Sequence, residues 1–311
     1  MPLVFCRKGI MDVQDFTTSK YGVAFALALA RALPPSLGYR VARGLADVLA
    51  SFKHSRLVQA IRLNQWVVHG MTWDSEQLTE AVHTVLHHAG RCNYDLYRNL
   101  HDSEAIRRLV HLDDSMMEAV VESQENRAGY VLVGPHLSNF DLAIKAVGIA
   151  GVRAQILAIA TPTGGYLWQN RMRSAPGVEM TPISARVLLQ AVDRLRNGGI
   201  VVTGVDRPVP GKKAVLDFFG QPAPLPTGHV RMAMDANVPV RVVSTRMEED
   251  GRYHVTLSER IPMQRTGQRK DDIRENAQRV LFVVERYIRE HPLQWLMFYP
   301  VWPHLMEKVP Q

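Results

Sequence analysis

The chain has 311 residues and carries 37 Lys and Arg against 30 Asp and Glu, a formal net charge of +7 with histidine neutral. Hydrophobic residues make up 46% and charged ones 22%, enough apolar content to offset chain entropy, which excludes a disordered protein. Two cysteines, Cys6 and Cys92, exclude a disulfide-stapled module and cannot by themselves build a zinc or iron–sulfur centre.

The first residues, MPLVFCRKGIMDVQDF, mix charge into every apolar run and show no small-residue cleavage site, so no secretory signal is expected. The best apolar stretch, Tyr21 to Leu33, is broken by Arg31. It is too short to span a bilayer, which takes about 20 apolar residues. A second amphipathic stretch runs from Leu37 to Phe52. Between Phe16 and Trp73, seven basic residues (Lys20, Arg31, Arg40, Arg43, Lys53, Arg56 and Arg62) face one acid, Asp47. Apolar helical faces flanked by Lys and Arg suit an anionic membrane surface, against the plainer reading of a solvated basic face. These cations lie among Leu, Ala and Val without interleaved aromatics, so nucleic acid is not an expected partner.

Residues 18 to about 125 read as helices. Glu76 to Leu100 has apolar residues at helical spacing, and Ser75 is placed to cap it. The pattern then changes to short apolar runs of buried-strand type: Gly129 to Gly134, Ala154 to Ala160, Gly199 to Gly204, Pro239 to Thr245 and Tyr253 to Leu257. Helical patterns separate several of them, at Ser138–Ala150, Ser184–Asn197 and Thr227–Ala236. A last helix, Asp271 to Glu290, aligns Ile273, Ala277, Val280, Leu281, Val284 and Ile288 as a core-facing stripe. Pro208–Gly211 and Pro222–Pro226 read as loops. The alternation predicts an α/β fold, a mostly parallel sheet flanked by helices, with an N-terminal helical membrane-associating region. Residues 1–125 are expected to pack on an α/β core of residues 126–311 as one continuous unit.

The most informative segment is Gly134-Pro-His-Leu-Ser-Asn-Phe-Asp141. A buried strand ends at Gly134 and a helix starts near Ser138, which puts His136 at the carboxyl end of a strand, where open α/β sheets place ligands. Asp141, about one turn into the helix, is expected to reach one imidazole nitrogen, fix the tautomer and leave the other nitrogen as a base. Backbone N–H groups at the Ser138 helix start are candidate donors to negative charge. The same spacing from Ser138 to Asp141 also reads as a helix cap. Arg207 is a candidate for a headgroup or phosphate, or else a partner of Asp206 or Asp217, and Arg173 is a second candidate cation. His83 and His87 stand at i, i+4 on a helix, but no third ligand is in view and no metal is expected there. His88 continues what reads as an exposed run.

GPHLSNFDLA, with its H-x-x-x-x-D spacing, resembles the catalytic block of the glycerolipid acyltransferase superfamily. More narrowly it is similar to the bacterial branch that holds the late lipid A acyltransferases and the phosphatidylinositol mannoside acyltransferases. Further blocks agree in order: Arg62-Leu-Asn64, Arg173-Ser-Ala-Pro-Gly177, the strand ending in Asp206-Arg207, Asp217-Phe-Phe-Gly220, Thr227-Gly228 and Pro292-Leu-Gln-Trp295. The likeness spans residues 20 to 305. The E-G-T-R block of the glycerol phosphate branch is absent, with Asp206-Arg207-Pro208 in its place, which argues against a simple glycerol phosphate acceptor.

The resemblance implies transfer of a fatty acyl chain from an acyl thioester (acyl-CoA or acyl-ACP as co-substrate, with no other cofactor) to a hydroxyl of a membrane glycolipid or phospholipid. His136 would be the general base, oriented by Asp141. Arg207, Asp206, Arg173, Ser138 and Asn139 would bind substrate. The expected place of work is the cytoplasmic face of the cell membrane, as a peripheral or monotopic protein on an anionic surface. A lipid A precursor as acceptor, and a catalytically inactive lipid-binding relative, are the alternatives.

Overall fold

The computed structural model describes residues 20–125, 127–158, 175–209, 211 and 216–311. The described residues open with helices α1 (Lys20–Ala32), α2 (Pro35–Ser51), α3 (Arg56–Val68) and α4 (Ser75–Asn99). Pro35 starts α2, where its fixed φ is already helical and its missing N–H costs no bond. Ser55 caps α3 by accepting from the Val58 N–H. The cap of α4 is Asp74, one residue before the expected Ser75. Its carboxylate accepts from the Gln77 N–H while the Gln77 side chain accepts from the Asp74 N–H, a reciprocal capping box. Small residues let α2 and α4 approach closely: a Cβ on Gly38 would stand 2.0 Å from the Tyr94 ring, and one on Gly90 would stand 3.1 Å from the Ala42 carbonyl oxygen.

Helix α5 (Ser103–Leu109), strand β1 (Val110–Leu112) and α6 (Asp114–Gln124) follow. The α/β part then runs β2 (Tyr130–Gly134), α7 (Phe140–Ile149), β3 (Ala154–Ala158), β4 (Val178–Pro182), α8 (Ala185–Arg196), β5 (Ile200–Gly204), β6 (Leu216–Phe218), β7 (Gln221–Ala223), α9 (Gly228–Ala236), β8 (Val240–Met247), β9 (Tyr253–Leu257) and α10 (Arg269–Glu290). Short 3-10 turns close the chain at Pro292–Gln294 and Pro303–Lys308.

Among the described residues the main sheet has seven strands, in the order β1-β9-β8-β2-β5-β3-β4. All neighbours are parallel except β8 and β9, which form an antiparallel pair. β6 and β7 make a separate hairpin. Central strands bury both faces, as the uninterrupted apolar runs required. Val131, Val133 and Val201 point into a core with α3, α9 and α10, while Tyr130, Leu132 and Ile200 point into a second core with α4, α6 and α7.

The N-terminal helices are tied to the rest by buried polar contacts. Asn64 Nδ2 donates to the carbonyls of Met297 and Tyr299, each at 2.9 Å, and its Oδ1 accepts from the Val301 N–H at 3.1 Å. Arg62 donates to Thr79, Ser75 and the Pro310 carbonyl. The expectation that counted Arg62 with the membrane-facing cations is therefore corrected: it is buried, and its charge is spent inside the fold. Among the described residues, no helix is long and apolar enough to cross a membrane.

Candidate active site

Strands β2 and β5 lie side by side and parallel, with Gly134 opposite Gly204. Continuing that register by one pleat brings residue 136 opposite residue 206. Gly134 has to be glycine: a Cβ there would sit 2.9 Å from the Val243 carbonyl oxygen on β8. Beyond it the chain turns sharply. Leu137 N–H donates to the Pro135 carbonyl, Ser138 adopts a left-handed φ of 49°, and Asn139 caps α7 by accepting from the Leu142 N–H. The loop is stitched to the C-terminal segment: Ser138 N–H donates to the Gln294 carbonyl and Leu296 N–H donates to the His136 carbonyl, both at 2.8 Å. The block Pro292-Leu-Gln-Trp295 is thus the cradle of the His136 loop.

His136 Nδ1 stands 2.7 Å from Asp206 Oδ1, and the His136 backbone N–H donates to Asp206 Oδ2 at 2.7 Å. Trp295 Nε1 donates to the same Oδ2 at 2.8 Å. Asp206 is wholly buried and accepts three N–H groups. Burial alone would raise its pKa, but the His136 charge and hydrogen bonds, with the Trp295 indole, outweigh that and hold the carboxyl below its ordinary range. An ionised Asp206 can only accept, so the proton on that side belongs to His136 Nδ1, and Nε2 is the nitrogen that carries the lone pair in the neutral ring. The imidazole is 30% exposed. Phe140 packs edge-on against it with centroids 5.1 Å apart, and bare Gly204 lies beneath, where a Cβ would come within 3.2 Å of Cε1.

The expected partner of His136 was Asp141, and here the structure differs. The carboxylate on Nδ1 is Asp206, because the parallel register of β2 and β5 delivers it directly across from His136. Asp141 is the second residue of α7 and half-buried there, where a negative charge suits the amino end of a helix.

Ser138 and Asn139, expected to meet substrate, lie in the interior. Ser138 is 1% exposed, and its Oγ is 2.9 Å from Nε2 of His88. Its backbone N–H is committed to Gln294, so it is not a donor for a developing oxyanion. Asn139 Nδ2 donates to the Cys92 carbonyl. The helix cap is Asn139 rather than Ser138. His88, read from the sequence as exposed, is buried; desolvation, then the charges of Arg91 and His291, lower its pKa to about 4 and keep it neutral. Cys92 beside it is pushed up to about 12 by burial and stays an inert thiol.

Arg207, the residue after Asp206, stacks its guanidinium over Tyr299 at 3.9 Å from the ring centroid. Asp206 is engaged with His136 and Trp295, so the alternative pairing of Arg207 with that carboxylate is set aside. Arg173 lies outside the described residues. Asp206, expected among the substrate-binding residues, is instead wholly buried behind His136, and the sequence left Trp295 without a role. Both roles follow from contacts 70 and 89 residues apart in the chain, which no local pattern encodes.

The dyad at the carboxyl edge of a parallel sheet is suited to removing a proton from a hydroxyl nucleophile. In comparison with known families, residues 13–304 match the one described as bacterial lipid A biosynthesis acyltransferase. No individual curated protein is a significant match.

Proposed function

The chain belongs to the bacterial lipid A biosynthesis acyltransferase family and is an acyltransferase of lipid biosynthesis; from that premise we propose that His136 is its general base and Asp206 the carboxylate that orients it. The donor in this reading is an acyl thioester of coenzyme A or acyl carrier protein. The acceptor is a hydroxyl of a membrane glycolipid or phospholipid, a lipid A precursor being the variant within the class. His136 Nε2 takes the hydroxyl proton as the oxygen attacks the thioester carbonyl. The C–S bond then breaks and the imidazolium returns the proton to the leaving thiolate. Asp206 keeps the proton on Nδ1 throughout and stabilises the imidazolium while it exists. The amino end of α7 brings positive partial charge to this edge of the sheet, and supplies the electrostatic side of oxyanion stabilisation. Arg207, with its guanidinium over the Tyr299 ring, is the cation for a phosphate of donor or acceptor.

The observation that carries this reading is the half-open imidazole with its inner nitrogen fixed by a buried carboxylate. The same pairing weighs against a catalytically inactive lipid-binding relative. Support for work at a membrane surface comes from α2. Leu37, Leu45, Val48 and Phe52, at its exposed side and carboxyl end, are 43–55% exposed. At 100° per residue, they fall within an arc of about 80°. Arg40, Arg43, Lys53 and Arg56 are exposed nearby. An apolar strip edged by cations is what an interfacial helix presents to anionic lipid.

The test is incubation of the purified protein and membranes with labelled acyl-CoA or acyl-ACP, followed by lipid extraction. Parent protein labels a lipid and His136→Ala does not. A His136→Ala protein that acylates as fast as the parent overturns the assignment of the base.

A further inference from the structure

His83 and His87 lack a third ligand in the sequence, and the fold provides one from another helix. Contacts of Gly38 with Tyr94 and of Ala42 with Gly90 show α2 running antiparallel against α4. One turn further on, Asp47 of α2 meets both histidines of α4. Its Oδ1 is 3.0 Å from His83 Nδ1 and 2.5 Å from His87 Nε2. The three donor atoms lie within 4.8 Å of one another. Asp47 is also the single acid between Phe16 and Trp73, among seven Lys and Arg. Its ion-pair partners among the described residues are nevertheless both imidazoles. Both imidazoles converge on one oxygen of Asp47, and among the described residues no Arg or Lys stands within ion-pair distance of it.

Two imidazoles and a carboxylate are the donor set of the borderline first-row dications, with histidines at i, i+4 able to ligate from one helix face. We propose that Asp47, His83 and His87 form a binding site for a zinc-class divalent cation, which clamps α2 onto α4. In a tetrahedral site with bonds of about 2.0–2.2 Å, ligand atoms stand about 3.3–3.6 Å apart. The two imidazole nitrogens therefore need to draw back from the Asp47 oxygen by up to about 1 Å. The side chains have the freedom to do so, being 39%, 25% and 47% exposed for His83, His87 and Asp47. Solvent on the open side would complete the coordination. The clamp would fix the helix that carries the exposed apolar strip, and it uses no residue of the His136 site.

The probe is Co2+, added to tag-free protein previously dialysed against chelator, with Zn2+ as competitor. One equivalent of Co2+ is expected to give visible d–d absorption that Zn2+ abolishes, and Zn2+ is expected to slow amide hydrogen exchange across residues 35–51. Asp47→Asn and His87→Gln, both at solvent-open side chains and checked for folding by circular dichroism, are each expected to weaken Co2+ binding at least about tenfold. His136→Ala is expected to bind Co2+ as the parent does, so loss of acyl transfer and loss of the metal site read separately. No d–d absorption in the parent, or absorption undiminished in both variants, overturns the proposal.

Discussion

Asp206→Asn changes one atom of a fully buried side chain and tests what that carboxylate does. Asp206 Oδ2 accepts from the His136 N–H and from Trp295 Nε1, and Oδ1 faces Nδ1. An asparagine keeps a single acceptor oxygen. With that oxygen in place of Oδ2, two donors remain satisfied and the amide NH2 faces Nδ1 at the former 2.7 Å. The imidazole then turns acceptor on that side and carries its proton on Nε2, where the base should be. The opposite flip leaves two buried N–H groups without acceptors, at about 1–3 kcal/mol each, so the first orientation is favoured. A base held in the wrong tautomer, as in the equivalent substitution in a serine-protease triad, costs about 10^3- to 10^4-fold in kcat. That corresponds to ~4–5.5 kcal/mol of barrier. The assay is steady-state acyl transfer from a labelled thioester, with circular dichroism to confirm folding and KM for the donor compared with the parent. A folded Asp206→Asn protein that keeps kcat within about tenfold of the parent refutes the tautomer argument.

Three further outcomes follow from the geometry. Gly204→Ala puts a Cβ 3.2 Å from His136 Cε1, and the ring has to give by a few tenths of an ångström. A kcat loss of about tenfold is expected, with little change in denaturant midpoint, and an unchanged kcat would mean the ring is not held against Gly204 during the reaction. For His88 the folded pKa of about 4 lies below the ordinary histidine value of 6.5, so between those values the unfolded chain binds the extra proton. Stability then rises with pH across that window and is lost as pH falls through it, by about 3 kcal/mol in all. His88→Gln is expected to flatten this slope in urea titrations, and an unaltered slope would contradict a buried neutral ring. Asp206, with its pKa depressed, contributes stability that is present above the ordinary carboxylate range and lost only at lower pH, so the two windows separate. Replacing Leu45, Val48 and Phe52 together by Ser removes exposed apolar surface and should leave folding intact. Flotation with anionic liposomes should fall at least about tenfold, and retention at the parent level would remove α2 from the membrane account.

The layers of the fold were legible because its physics is local. β2 and β5 are short, mainly apolar runs bounded by glycines, and α10 carries a clear stripe at helical spacing. β4, with the sequence VEMTP, was not legible, since an edge strand can alternate polar residues freely. β1 has three residues, too few for any periodicity. His136 stood out because a strand end and a helix start flank it within a few residues. Its partner did not, because Asp141 is near in sequence while Asp206 is near in register. Choosing between them requires knowing that β2 pairs with β5 and which residue faces which. Ser138 was misjudged for a related reason: its position on the loop is plain in the sequence, but the His88 and Gln294 contacts that turn it inward come from distant segments. Arg62 shows the same limit for charge, as a cation counted toward the surface that closes the C-terminal end of the chain from inside.

The pairing of His136 with Asp206 is tested most directly by proton and nitrogen NMR of histidine-labelled protein, followed in the parent, in Asp206→Asn and in Asp141→Asn. The account predicts a hydrogen-bonded Nδ1–H on His136 that is lost in Asp206→Asn and kept in Asp141→Asn. An Nδ1–H that survives the first substitution and vanishes with the second would contradict it.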